Sequence, residues 1–138
     1  MRFFLDIIPP TATSQENKTA MVNGRLMHYK SKRAKETFST LTRALKPYVP
    51  AEPLDGPIRL ICEWRFPSTK IHKDDEWKIT RPDTDNLQKA LKDCMTRLGF
   101  WVDDSRVCAE LVTKRWSDCP GIWIVVEQIE AVNIIGSD

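Results

Sequence analysis

At 138 residues, 41% hydrophobic and 29% charged, the chain has the size of one compact domain and is too apolar for a disordered tail. No apolar run approaches the roughly 18 residues of a membrane span, so no membrane-crossing helix is expected. The formal net charge is only +2, but residues 17–50 hold eight Lys or Arg against Glu36 alone, whereas residues 83–104 hold five Asp against three bases. This segregation suits a polyanionic partner reached through both charge and metal; a solvated helix face would leave the same pattern.

Alternation of Phe3, Leu5 and Ile7 with Phe4, Asp6 and Ile8 predicts a first strand, ended by Pro9-Pro10. Asp6 interrupts the apolar run too early for a secretory signal, and the expected location is the cytoplasm. Residues 11–30 are polar with a turn signal at Asn23-Gly24, a loop or a loose hairpin. Ser31 can cap a helix over 32–46 whose stripe is Ala34, Phe38, Leu41 and Leu45. Four prolines between 47 and 57 break regular structure before a strand over 58–66, with Ile58, Leu60, Cys62, Trp64 and Phe66 on one face. A charged loop over 67–81 contains Trp77, for which packing on its own domain or a dimer partner is preferred to stacking on a nucleic-acid base.

The spacing of Leu87, Ala90, Leu91, Cys94, Met95 and Leu98 predicts a helix over 85–98, with Asp85, Gln88, Lys89, Lys92, Asp93 and Thr96 opposite and Gly99 as its stop. Strand patterns over 107–116 and 122–129 flank a turn at Ser117–Gly121. The expected fold is α+β: a mixed sheet of about four strands with two main helices, one domain over residues 1–130 and a tail over 131–138. Cys62, Cys94, Cys108 and Cys119 form no C-x-x-C pair, which argues against structural zinc, and the first two sit where buried thiols are common. His28 and His72 lie in polar stretches and suggest no catalytic triad.

The segment Arg81-Pro82-Asp83-Thr84-Asp85-Asn86-Leu87-Gln88-Lys89 carries the candidate chemistry. In an extended entry to the helix Asp83 and Asp85 share a side, and Lys89 is one turn beyond Asp85. Asp103 and Asp104 follow the helix and must double back about 14 × 1.5 Å to reach the first pair, a distance the short return covers only in part. Gathered carboxylates without His or Cys select Mg²⁺ or Mn²⁺, and such an ion suits phosphodiester hydrolysis, with Lys89 stabilising charge or orienting water. Against this stands plain structure: Asp85 as an N-cap, Asp83 as an acceptor of backbone N–H groups before the helix, Asp103-Asp104-Ser105 as a turn, and Lys89 as an ion-pair partner of Asp85 or Asp93.

Residues 81–114 closely resemble the signature of the RusA-type Holliday junction resolvases, the crossover junction endodeoxyribonucleases. The matching residues are Pro82, Asp83, Asp85, Asn86, Leu87, Lys89 and Leu91, then Asp93, then Trp101, Asp103, Asp104, Val107 and Lys114. The resemblance implies that Asp83, Asp85 and Asp104 bind Mg²⁺ (or Mn²⁺) and act in catalysis with Lys89; Asp103 matches a motif position to which the resemblance assigns no definite role, orienting the turn being one option. It also implies a homodimer that nicks opposing strands of a four-way DNA junction. One carboxylate cluster per chain and two symmetric cuts per junction argue for a twofold dimer independently. Lys30, Lys32, Arg33 and Lys35 are the expected phosphate-binding set. The alternatives are cleavage of flaps or forks, and a branched-DNA binder without activity.

Overall fold

The computed structural model describes residues 1–11, the strands 17–22 and 25–30, and residues 32–130. Ser31, the turn residues Asn23 and Gly24, and the tail 131–138 fall outside the described residues. The main sheet contains β1 (Arg2–Leu5), β4 (Ile58–Pro67), β5 (Val107–Ser117) and β6 (Gly121–Gln128) in the order β1-β6-β4-β5. A separate antiparallel hairpin pairs β2 (Asn17–Val22) with β3 (Arg25–Lys30), and its Val22↔Arg25 register realises the hairpin option for this segment. The α-helices are α1 (Lys32–Leu45) and α2 (Thr84–Leu98). Among the described residues the fold is thus a four-stranded mixed sheet with two α-helices in a single α+β domain.

Strict alternation explains β4: Ile58, Leu60, Cys62, Trp64 and Phe66 are buried while the intervening residues are half-exposed. They pair across the sheet with the inward residues of β6, Leu60 with Val126, Cys62 with Ile124 and Trp64 with Ile122. Phe3 and Leu5 of β1 extend the layer against Ile124 and Ile122. Leu41 and Leu45 of α1 and Leu87, Leu91, Cys94 and Met95 of α2 complete one core, so both helices lie on this face. Phe38, expected in the α1 stripe, is only half-buried, and Thr37 takes an inward position. Burial pushes the Cys62 thiol up to about 12.

The two C-terminal strand patterns flank a turn as expected but do not pair with each other. β4 lies between them, parallel to β5 and antiparallel to β6. β4, α2 and β5 therefore form a β-α-β crossover, one unit of the alternation that the sequence pattern as a whole lacks. This crossover creates the site. It returns the chain from the end of α2 to the start of β5, which then runs back along the helix. The return is made by Gly99 at φ 89°, whose N–H and that of Phe100 close α2 onto Thr96 and Met95. A parallel bridge of Trp101 to Leu54 and a short 3₁₀ turn over Asp104–Arg106 follow.

Candidate active site

A cleft of about 400 Å³ runs between α2 and β5, lined by Thr84, Asp85, Gln88, Lys89, Lys92 and Asp93 of the helix with Asp104, Glu110 and Val112. Asp85, Lys89 and Asp104, three of the four residues expected to be catalytic, thus open on one cavity. Asp83 is not among its lining residues; it is the N-cap of α2, in extended conformation (φ −74°, ψ 150°), two positions ahead of Asp85.

The direction of β5 shows how these residues are spaced. Lys114 bonds the carbonyls of Thr80 and Pro82 just before α2, and Glu110 meets Gln88 and Lys92 a little further along the helix. Asp104 lies in the short turn that precedes β5, whereas Asp83 and Asp85 stand at the N-terminus of α2. From Asp85 to Asp93 the helix rises about 12 Å. Among the described residues no group of three His, Cys, Asp or Glu side chains stands at metal-holding distance.

The structural roles open to the acidic residues are distributed unequally. Asp103 takes the turn: its carboxylate accepts from the Ser105 N–H at 3.0 Å, and hydrogen bonds from Ser105 hold it below the usual carboxylate range. Asp83 makes no side-chain cap bond despite its N-cap position. Among the described residues Lys89 pairs with neither Asp85 nor Asp93; the ion pair of this helix face joins Lys92 to Glu110 at 3.0 Å. Capping and pairing therefore do not account for Asp83, Asp85 or Lys89.

Gln88 departs from the expected polar face. It is only 3% exposed; its Oε1 accepts from Trp64 Nε1 at 2.7 Å and its Nε2 donates to Glu110 Oε2 at 2.7 Å. This buried amide links the core to the cleft and, with Lys92, holds Glu110 from both sides. Sequence reasoning missed Glu110 as a cleft residue; its available signal was an acidic residue on the same side of β5 as Val112. Thr96 is likewise engaged, accepting from Trp101 Nε1 at 2.7 Å.

The basic set lies elsewhere on the molecule. Lys32, Arg33 and Lys35 are exposed on the first turn of α1, which contains no acidic residue. Arg33 donates to Thr11 Oγ1 at 3.1 Å beside a shallow groove that also includes Pro9, Pro10 and Glu36. Lys30 ends β3, and its side chain is outside the described residues. Trp77 pairs in antiparallel register with Arg115, whose guanidinium lies 3.8 Å from the ring centroid, yet it remains 57% exposed, so packing on its own domain is partial. His72 is tied to its own loop and strand, stacked on Trp116 and 3.6 Å from Glu76.

A cleft with hard-oxygen donors and a lysine without an ionic partner among the described residues, on a chain carrying a separate basic turn, is the equipment of a phosphodiester-cleaving enzyme. The family model described as Endodeoxyribonuclease RusA matches residues 8–127. The chain belongs to this family, and its enzymatic class is nuclease, acting by phosphodiester hydrolysis. The crossover junction endodeoxyribonuclease of Lactococcus phage r1t is 32% identical over 107 residues, covering 76% of this chain and 79% of that protein. Its Shigella sonnei (strain Ss046) counterpart is 34% identical over 74 residues, 54% of this chain and 53% of that one. The Escherichia coli (strain K12) protein is 53% identical over 34 residues, 25% of this chain and 28% of its own length.

Proposed function

We propose that the protein is a Mg²⁺-dependent, structure-selective endodeoxyribonuclease that resolves four-way DNA junctions by paired symmetric nicks, acting as a homodimer in recombination and repair in the cytoplasm. The observation that carries this reading is the opening of Asp85, Asp104 and Lys89 on one cleft, with no hydrogen-bonding or ionic partner for these three side chains among the described residues. The names of the relatives supply the substrate class.

The donor set fits a hard divalent cation, since the cleft lining offers carboxylates and neither His nor Cys. Mg²⁺ commonly uses only one or two carboxylates and takes its remaining ligands from water and substrate phosphate, so three preassembled carboxylates are not required. Its protein ligands would be drawn from Asp83, Asp85 and Asp104, with Mn²⁺ as a substitute. When bound, such an ion neutralises phosphate charge and lowers the pKa of a coordinated water.

Lys89 presents its ammonium to the phosphate beside Asp85 and stabilises the negative charge that builds there. Lys30, Lys32, Arg33 and Lys35 track backbone phosphates. Three of these cations crowd the first turn of α1, where the helix dipole disfavours positive charge, so helix stability does not account for them. A helix N-terminus with added cations suits phosphate.

The test is cleavage of a labelled synthetic four-way junction against linear duplex of the same sequence, in Mg²⁺ or EDTA. Paired Mg²⁺-dependent nicks on opposing junction strands, abolished by Asp85→Asn, are expected. Equal cutting of linear duplex would leave the chemistry standing and remove the junction; preferential cutting of flaps or forks would move the substrate. Tight junction binding without cleavage would replace the resolvase by a binder.

A further inference from the structure

Lys114 fastens the segment that leads into the catalytic helix. On β5 it shares a side with Glu110 and Val112, the side that faces α2. Its Nζ donates to the carbonyl of Pro82 at 2.7 Å and to that of Thr80, so the two acceptors bracket Arg81 directly ahead of Asp83. Its own backbone carbonyl accepts from the Lys78 N–H at 3.1 Å. Strand residue 114 thus holds residues 78–82 by main chain at one end and by side chain at the other. Asp83 lies close enough for its charge to favour the Lys114 ammonium, opposing the burial that lowers the Lys114 pKa.

The placement matters because Asp83 makes no side-chain cap bond of its own. Among the described residues no hydrogen bond fixes its side chain to the helix, so the direction of the Asp83 and Asp85 carboxylates depends on the backbone that delivers them. We infer that Lys114 is a positioning residue for the nuclease site: by binding the Thr80 and Pro82 carbonyls it sets where the Asp83 and Asp85 carboxylates stand for the divalent ion. This rests on the functional reading above and adds a residue to it. Lys114 itself is not among the residues that line the cleft.

Lys114→Met keeps the apolar stem and removes every donor, and Lys114→Arg restores donors. Lys78→Met is the control, because that side chain meets the same loop through Thr80 Oγ1 and leaves the Pro82 carbonyl untouched. Two quantities are read: the rise in melting temperature with Mg²⁺ concentration, which needs no DNA, and the rate at saturating junction against junction binding in EDTA. The Met variant is expected to need several-fold more Mg²⁺ for half of the melting shift. It is also expected to lose about 10²-fold in rate, the scale of an ångström of misplacement, while EDTA binding stays within a factor of about two.

Rescue is read in the same assays: Lys114→Arg should recover part of both losses, and Lys78→Met should show neither. A Lys114→Met protein with the wild-type Mg²⁺ response overturns the inference. So does one whose rate falls only in proportion to its folded fraction. Should that variant not fold, Lys114→Gln, with one donor group left, is judged by the same two outcomes. A wild-type protein that cuts no junction would defeat the resolvase reading, and the DNA-free melting shift would still decide Lys114.

Discussion

Lys89 is exposed, and without an ionic partner among the described residues its ammonium contributes little to folding. Lys89→Met is therefore expected to leave stability within about 0.5 kcal/mol of wild type by denaturant melting. Its cleavage rate should fall by about 10²-fold or more, as for loss of one group that stabilises transition-state charge. Gln88 reverses this pattern. Gln88→Leu would strand Trp64 Nε1 in the core and release one side of Glu110, so about 1–3 kcal/mol of stability should be lost before any effect on rate is considered. A melting curve superimposable on wild type would show that water replaces the amide. The thiols divide similarly by environment: Cys108 and Cys119 are exposed, whereas Cys62 and Cys94 are buried. With its folded pKa near 12 against 9.0 for the free group, Cys62 keeps its proton where an unfolded thiol has lost it. Its contribution thus lowers stability as pH rises above about 9, and two fast-reacting thiols are expected at neutral pH in a thiol-labelling time course.

At the scale of elements, the first turn of α1 separates folding from function. Replacing Lys32, Arg33 and Lys35 together by Gln removes cations from the unfavourable end of a helix dipole, so helix content should hold. The same change should flatten the dependence of junction affinity on salt, by about one unit of slope for each phosphate no longer neutralised. An unchanged slope would take this turn out of the DNA surface. Periodicity made both helices and all four strands of the main sheet legible, because burial on one face imposes a period of two on β4 and of 3.6 on α2. It carried no information on which strands become neighbours. Residues 107–117 and 121–128 read locally like the arms of a hairpin, and only the crossover through α2 places β4 between them. For the same reason Asp85 and Asp104 could be named from their motif while their meeting on one cleft could not. Gln88 was misplaced because periodicity assigns a glutamine to the polar side, and only the position of the Trp64 N–H across the core explains an amide there.

For the molecule as a whole, symmetry makes the strongest demand. A four-way junction has two strands to cut, and this chain supplies one Asp83–Asp85–Lys89 motif. If the enzyme is a twofold dimer, each protomer answers for one strand, and inactivating one site leaves the other able to nick. Differently tagged wild-type and Asp85→Asn chains can be co-expressed and their mixed dimer isolated through both tags. On a plasmid with an extruded cruciform, wild-type dimers that cut both strands within one binding event should yield linear DNA. The mixed dimer should yield nicked circles, and the doubly substituted dimer should leave the plasmid intact. Linear product from the mixed dimer would mean that one site cuts both strands in turn, and a chain that cannot be recovered through both tags would remove the dimer altogether. The nicked-circle result alone ties the single motif in this sequence to the twofold symmetry of its proposed substrate.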